Sequence, residues 1–345
     1  MLRVELIKAG HEDFAKHWET LANSCLGSPV YCDSNSSYYQ TVSDQTVIKN
    51  FDCIALLDGQ PTAGVRLNLA QGAKSRVLDY YGNPGCFLAL TATPNNNLAF
   101  SAISKSLVED GLRAAISSPD VEIVLNMSAE WTEEPTKAID LILKNSSKLR
   151  PAFSRYLDLR AVFSADQPIP LPRWPKSVRE ALKIAESSGI VCTAMDESSG
   201  KAETEQAFLE LKALHFSSAG RLTRAEASWG LQLQNIKDGH AFLVDAKLEG
   251  KTIGVSYFLR CGKSSYYGVS ASHLGHRNLS IGHVIMVEAI DFARRSGLNT
   301  FWVGNQFSRG TGEASEKEFQ IEKFKSYFGS NLSLGILATR DPHHS

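Results

Sequence analysis

The sequence predicts an α/β protein of two similar units in tandem, each a mixed sheet flanked by helices, and three observations carry that expectation. The first is a hairpin pattern that occurs twice. Asp52 to Asp58 and Thr62 to Leu69 are apolar segments about the turn Gly59-Gln60-Pro61, and Ala241 to Lys247 and Thr252 to Leu259 do the same about Leu248-Glu249-Gly250-Lys251. Each returning segment opens on a related tripeptide, Ala63-Gly64-Val65 or Ile253-Gly254-Val255. The second is the order of elements after each hairpin. From Gly64 the chain passes Asp79 to Gly85, reaches a helix within Leu98 to Ser117, and ends on the strand Val121 to Leu125; from Gly254 it passes Tyr266-Tyr267-Gly268, reaches a helix at Ser280, and ends on the strand Phe301 to Val303. The third is Asp166 to Pro175, whose four prolines in ten residues have the composition of a linker. The expected division is 1–160 for the N-terminal unit, 161–175 for the linker and 176–345 for the C-terminal unit.

Glu12 to Ser24 reads as a helix because Phe14, Trp18 and Leu21 fall on one face. Ser28 to Tyr39 is polar and turn-rich. Lys176 to Gly189 is an amphipathic helix: Val178, Leu182 and Ala185 share a face, Gly189 stops it, and Lys176, Arg179 and Lys183 form a basic stripe. Thr204 to Ser217 buries Phe208, Leu211 and Leu214 by the same logic. Ser264 to Ala271 reads as a strand, His273 to Leu279 as a polar loop, and Ser280 to Ser296 as a helix with both ends marked. Ser280 is its expected N-cap, Arg294 and Arg295 lie in its last turn, and Gly297 closes it. A loop feeding a helix N-terminus gathers free N–H groups and suits an anionic ligand.

Composition sets the outer bounds. A length of 345 residues suits about two domains, and a hydrophobic fraction of 43% is that of a globular protein with a real core. The net charge of −1 provides no field that draws in nucleic acid, so DNA is not an expected partner. No apolar run approaches the ~20 residues that span a bilayer, and Met1 to Glu5 lacks the layout of a signal peptide, so a cytoplasmic protein is expected. The six cysteines contain no C-x-x-C pair, which argues against a zinc site and a disulfide framework; they read as reduced thiols.

With these pieces named, the chain resembles the FemAB-like, tandem-GNAT acyltransferases, the superfamily of cell-wall aminoacyl transferases and related N-acyltransferases of surface glycans. The matching residues are Lys176-Ser-Val-Arg179 with Ala185-Glu186 and Gly189-Ile190, Ile253-Gly254-Val255, Tyr266-Tyr267-Gly268, Ser280 and Gly282 with the helix behind them, and the tail Phe324-Lys325-Ser-Tyr-Phe328-Gly329. In the first half, Leu157-Asp158-Leu159 and Tyr81-Gly82 also look like the family. The resemblance covers most of the chain, thinly. It implies GNAT-like (acyl-CoA N-acyltransferase-type) units and an acyl-CoA donor, with aminoacyl-tRNA as the alternative donor. Two departures bear on the donor and the base. Arg277-Asn-Leu-Ser-Ile-Gly282 is one glycine short of the turn that holds pyrophosphate in acetyl-CoA enzymes, and Trp302 and Asn305 stand where relatives often place an acidic residue. Val191 to Glu203 offers no heptads for the helical arm of the tRNA-dependent members.

Several residues then stand out, each with a plainer reading beside the functional one. Lys325 matches the family's tail lysine and can stabilise negative charge on the donor or the tetrahedral intermediate; on periodicity alone it is a solvated lysine. Arg179 and Lys176 can hold the phosphates of a nucleotide- or lipid-linked sugar, or form an exposed basic face. His273, His276 and His283 have no acidic or cysteine ligand beside them, so no metal is expected. His276 or His283 can serve as base for an amine nucleophile. Glu288 falls on a covered helix face, where its pKa rises and it acts as base or pairs with an arginine. Tyr266, Tyr267, Tyr80 and Tyr81 can donate a proton or stack on a sugar, or belong to the core.

The candidate residues are thus Lys325, His283, Glu288 and Tyr267 for catalysis, and Lys176, Arg179, Arg277, Ser280, Gly282 and Tyr81 for substrate binding. The expected reaction is transfer of an acyl or aminoacyl group to an amine of a cell-envelope precursor, an amino sugar or peptide held between the units. The acceptor is a small molecule or a lipid-linked sugar or peptide, with peripheral membrane contact through such a lipid and tRNA as a possible donor partner. A non-catalytic GNAT-like binding module in glycan assembly is the reading from another class.

Overall fold

Asp58-Gly59 and Glu249-Gly250 both take positive φ at each residue, 47° and 79° in the first pair and 50° and 76° in the second. That left-handed pair makes a two-residue hairpin turn whose twist matches its strands. The turns join Cys53–Leu57 to Gln60–Arg66 and Ala241–Leu248 to Lys251–Cys261. The computed structural model describes residues 2–25, 27–43, 45–90, 96–128, 137–162, 174–221, 224–306 and 315–340. It divides into two units, one of residues 1–27, 31–153 and 333–345, the other of 28–30 and 154–332. Of the expected linker, residues 163–173 lie outside the described residues.

The first unit contains β1 (Val4–Lys8), α1 (Phe14–Ser24), α2 (Asp33–Ser43), β2 (Thr46–Asn50), β3 (Cys53–Leu57), β4 (Gln60–Arg66), β5 (Asn68–Gln71), β6 (Arg76–Asp79), β7 (Gly85–Ala89), α3 (Asn96–Glu109), α4 (Leu112–Ser117), β8 (Val121–Ser128) and α5 (Lys137–Asn145). Strands β1, β3, β4 and β7 pair antiparallel in that order, and β8 joins β7 in parallel. A side ribbon of β2, β5 and β6 reaches β8 through β6. Helix α3 covers one face of β3 and β4, and α1 covers the other.

The strand β9 (Lys148–Asp158) leads into the second unit. Next come α6 (Lys176–Ser187), β10 (Ile190–Met195), α7 (Lys201–Ala219), α8 (Glu226–Lys237), β11 (Ala241–Leu248), β12 (Lys251–Cys261), β13 (Ser264–Ser272), α9 (Ile281–Arg295), β14 (Thr300–Gln306) and α10 (Glu316–Ser326), and β15 (Asn331–Arg340) returns to the first unit. Its residues Gly335 to Arg340 pair with β8. Strands β10 to β13 pair antiparallel in sequence, and β14 joins β13 in parallel. The ladder of the first unit is thus repeated: three antiparallel pairings, then a parallel one. The core of this unit packs Ile285, Met286, Ala289 and Ile290 of α9 against Phe242, Val244 and Phe258 of the sheet.

The register of the two hairpins corrects the tripeptide match. Both carry a bulge close to the turn, so Ala55 pairs with Ala63 in one and Ala246 with Gly254 in the other. Gly254 is therefore the counterpart of Ala63, and Gly64 lies one residue further on. A slip of one residue moves a side chain to the opposite face of a sheet. Accordingly a β-carbon on Gly64 would strike Trp18 and Leu21 of α1, whereas one on Gly254 would strike Ile281 of α9 at 2.6 Å.

Other differences have local causes. Ser28 to Tyr39, which reads as turns, contains a single 3-10 turn and the start of α2, whose buried Asn35 and Tyr38 anchor a segment of poor helix propensity. The helix expected within Leu98 to Ser117 is α3, and a second helix, α4, follows it past Gly111, whose φ of 90° breaks the spiral. Cys25, Cys53, Cys86 and Cys192 are free thiols as read from the sequence, while Cys32 and Cys261 are each disulfide-bonded. No helix among the described residues is long and apolar enough to cross a membrane.

Candidate active site

The parallel pairing of β13 with β14 covers three residues, Ser264 with Thr300, Ser265 with Phe301 and Tyr266 with Trp302, and no more of either strand. Beyond it β13 stays with β12 while β14 runs on to Gln306, so the strands part after Tyr266. Backbone groups released where two parallel strands diverge can hold an extended ligand, since they keep their hydrogen-bonding capacity without a partner strand. Gly304 stands just past this point with a φ of 105°, a conformation that side chains other than hydrogen rarely take.

Lys325 reaches this place from α10. Its Nζ lies 2.8 Å from where a β-carbon on Gly304 would stand, and the Tyr266 hydroxyl lies 3.3 Å from the same point. An ammonium and a phenol therefore converge on one glycine where the strands separate. Burial lowers the Lys325 pKa, because the charged form loses water and no carboxylate among the described residues compensates.

The tail Phe324-Lys325-Ser-Tyr-Phe328-Gly329 holds the lysine there through its aromatic residues. Phe324 packs over Gly282, 3.5 Å from its would-be β-carbon, and its ring meets His283 at 5.1 Å and Tyr267 at 6.3 Å. Phe328 is buried against Trp174 and His283. Gly329 fits against Arg155 and Val303 at distances tighter than a side chain usually accepts, and Arg155 donates to its carbonyl at 3.2 Å. Ser315 starts α10 with a capping box in which it and Glu318 exchange hydrogen bonds. Two aromatic residues four apart, with lysine after the first, thus fix one cation on the sheet.

Among the expected catalytic residues, the structure brings His283 and Tyr267 to the tail that carries Lys325, and places Glu288 elsewhere. His283 is enclosed by Phe324, Tyr327 and Phe328, its Nε2 is buried with no partner among the described residues, and burial lowers its pKa. The Tyr267 hydroxyl is tied to Ser270, and burial raises its pKa. Glu288 pairs with Arg295 at 3.0 Å, the alternative already open for it, with its pKa raised by burial.

The expected binding residues also separate. Lys176 and Arg179 are exposed on α6, and Lys176 lies 3.6 Å from Glu180. Arg277 belongs to the 3-10 segment Leu274–Leu279, and its side chain lies outside the described residues. Ser280 makes no capping hydrogen bond through its side chain; its φ of 50° instead turns the chain from that segment into α9. Gly282 admits Phe324. Tyr81 belongs to the first unit, at a φ of 51° in a tight turn closed by reciprocal bonds between Tyr80 and Asn83. Gly304 carries no signal in the sequence, and the pattern there does not separate Tyr266 from Tyr267.

No protein-family model matches the chain, and neither does any curated protein sequence. Solved structures do. FemX is similar at a TM-score of 0.66 and 13% identity, over 96% of this chain and 96% of FemX. The fold is that of the FemAB-like tandem-GNAT proteins. L-PGS from Bacillus licheniformis shares the tandem-GNAT fold at a TM-score of 0.58 and 11% identity, over 98% of this chain and 94% of its own. The C-terminal domain of a candidate lysylphosphatidylglycerol synthetase from Agrobacterium fabrum shares it at 0.55 and 13%, over 95% and 93%. Identities this low carry the tandem-GNAT fold, and the activity has to be argued from the site.

Proposed function

We propose that the protein transfers an acyl or aminoacyl group from an activated donor to an amine of a cell-envelope precursor, an amino sugar or a peptide. The observation that carries this reading is the convergence of Lys325 Nζ and the Tyr266 hydroxyl on Gly304 where β13 and β14 part. In such a reaction the neutral amine attacks the donor's carbonyl carbon and the carbonyl electron pair moves to oxygen. Two donors aimed at that oxygen lower the barrier, and losing one such donor costs about 2.7–4 kcal/mol. Lys325 and Tyr266 are those donors. Collapse of the intermediate expels the thiolate or alkoxide of the donor, which leaves with the proton given up by the amine. His283 and Tyr267 act as positioning residues, through Phe324.

Acyl-CoA fits this site only in part. The parted strands suit an extended acyl chain, but Gly282, the glycine available to a pyrophosphate turn, is covered by Phe324. No step is assigned to the nucleotide, and aminoacyl-tRNA stands as the second donor to be tried.

The test is to incubate the protein with a panel of acyl-CoAs or charged tRNA together with UDP-amino sugars or short peptides, and to look for N-acylated product by mass spectrometry. Product formation that falls at least a hundredfold in Lys325→Met supports the proposal. Absence of product with every donor, with thermal stabilisation by a glycan alone, would leave a binding module in its place.

A further inference from the structure

Helix α7 has two apolar faces, and the fold uses one. Ala207, Phe208, Leu211 and Leu214 are buried toward β12 and β13. Leu209, Lys212, Ala213 and Phe216 follow the i, i+3, i+4, i+7 spacing of a second stripe, on which Leu209 is 56% exposed and Phe216 51%. With Trp229 of α8 they wall a cavity of about 280 Å³, whose other lining residues are His215 and Arg221. The cavity lies wholly within the second unit and outside the candidate active site.

We infer that this cavity takes a hydrocarbon chain of an anionic membrane lipid, with the lipid's head group held at the cationic rim. The walls set the first half of that assignment. Leu209, Ala213, Phe216 and Trp229 offer mostly apolar surface, and burial and the neighbouring Arg224 lower the pKa of His215 beside them, which disfavours its charged form. Charge sets the second half. No carboxylate among the described residues lines the cavity. Lys212 is paired with Glu226, but Arg221 has no carboxylate partner among the described residues, and Arg224 lies over the Trp229 ring at 5.0 Å. The same ring leaves a nucleic acid base poorly served. Its face carries Arg224 and its neighbours His215 and Phe208 meet it edge to face, so no open stacking platform remains there. An apolar cavity beside exposed leucine and phenylalanine, fringed by arginine, matches the interfacial lipid sites of peripheral proteins.

The inference stands or falls apart from acyl transfer. It is tested by co-sedimentation of the intact chain with vesicles of phosphatidylglycerol or of phosphatidylcholine, and by quenching of Trp229 fluorescence with lipids brominated in the acyl chain. Expected are binding to the anionic vesicles at least tenfold tighter than to the neutral ones, quenching that disappears in Trp229→Phe, and at least tenfold weaker binding by Leu209→Glu/Phe216→Glu. Both substituted side chains are half exposed, and an unchanged melting temperature confirms that the double variant folds. Equal binding to both vesicles, the same quenching in Trp229→Phe, or wild-type binding by the double variant would overturn it. So would single-stranded RNA binding that the double variant alone abolishes.

Discussion

Lys325 Nζ lies 2.8 Å from the position that a β-carbon on Gly304 would occupy. Both the space and the backbone there belong to glycine, since a φ of 105° is strained for any side chain. Gly304→Ala is therefore expected to push the ammonium off the sheet without touching α10. Turnover should fall at least tenfold while the Michaelis constants of donor and acceptor change less, because the displaced group acts on the intermediate rather than on bound substrate. A steady-state comparison decides it. Unchanged turnover would show that Lys325 does not act from that position.

Burial lowers the pKa of Lys325, and the protonated form is the one that can hold an oxyanion. Activity should accordingly fall with rising pH at an alkaline limb set below the ordinary lysine pKa of about 10.4. Lys325→Arg, which stays charged throughout, should move or remove that limb even where its turnover is poor. A limb identical in both proteins would assign the titration to another group.

How much of this is legible in the sequence depends on where the signal lies. The tail motif is readable because Phe324, Lys325, Phe328 and Gly329 are adjacent in the chain and each acts through its identity. Gly304 gives no warning, since a positive φ is invisible until the strands around it are placed. Helix α8 escapes for a different reason: its buried face includes Ser228, Gln232 and Asn235, which erase the apolar periodicity. The repeat is legible in its order of elements, yet the glycines that draw attention to it are not equivalent, because one residue of slip separates them.

Asp79 gives the first unit a pH dependence that can be worked out. Its Oδ2 accepts from Gln45 and the Gly82 N–H, its Oδ1 is buried without a partner among the described residues, and desolvation pushes its pKa up to about 6 from 3.8. The folded pKa is the higher one, so the protonated acid's contribution to stability is present below about pH 4 and is lost as pH rises through 6. At pH 7 to 8 the ionised group costs about 3 kcal/mol, taking 1.36 kcal/mol per pKa unit. Asp79→Asn should raise stability by up to that amount at pH 7.5 and by little at pH 4, measured by urea unfolding. Equal effects at both pH values would mean that the carboxyl keeps its ordinary pKa.

Arg66 and Asp52 form an ion pair of 2.8 Å in which both side chains are 2% exposed. The guanidinium is further enclosed by Phe14 at 4.7 Å and Trp18 at 4.8 Å, and Asp52 also accepts from the Leu67 N–H. Asp33, the second partner, is more than half exposed, so its 3.3 Å contact adds little. Removing one member of a buried pair strands the other, which costs about 3–5 kcal/mol, whereas replacing both by apolar groups is often close to neutral. Arg66→Met is therefore expected to destabilise the first unit by that amount, and Arg66→Met/Asp52→Leu to recover part of it, with Leu67 N–H left unpaired as the remaining cost. The single variant should also lose less stability at pH 4 than at pH 7.5, since Asp52, its pKa already raised by burial and now without its cation, can take up a proton. Chemical denaturation of the three proteins at both pH values measures the coupling. A double variant no more stable than Arg66→Met would show that the arginine serves through its packing on Phe14 and Trp18 and not through the pair.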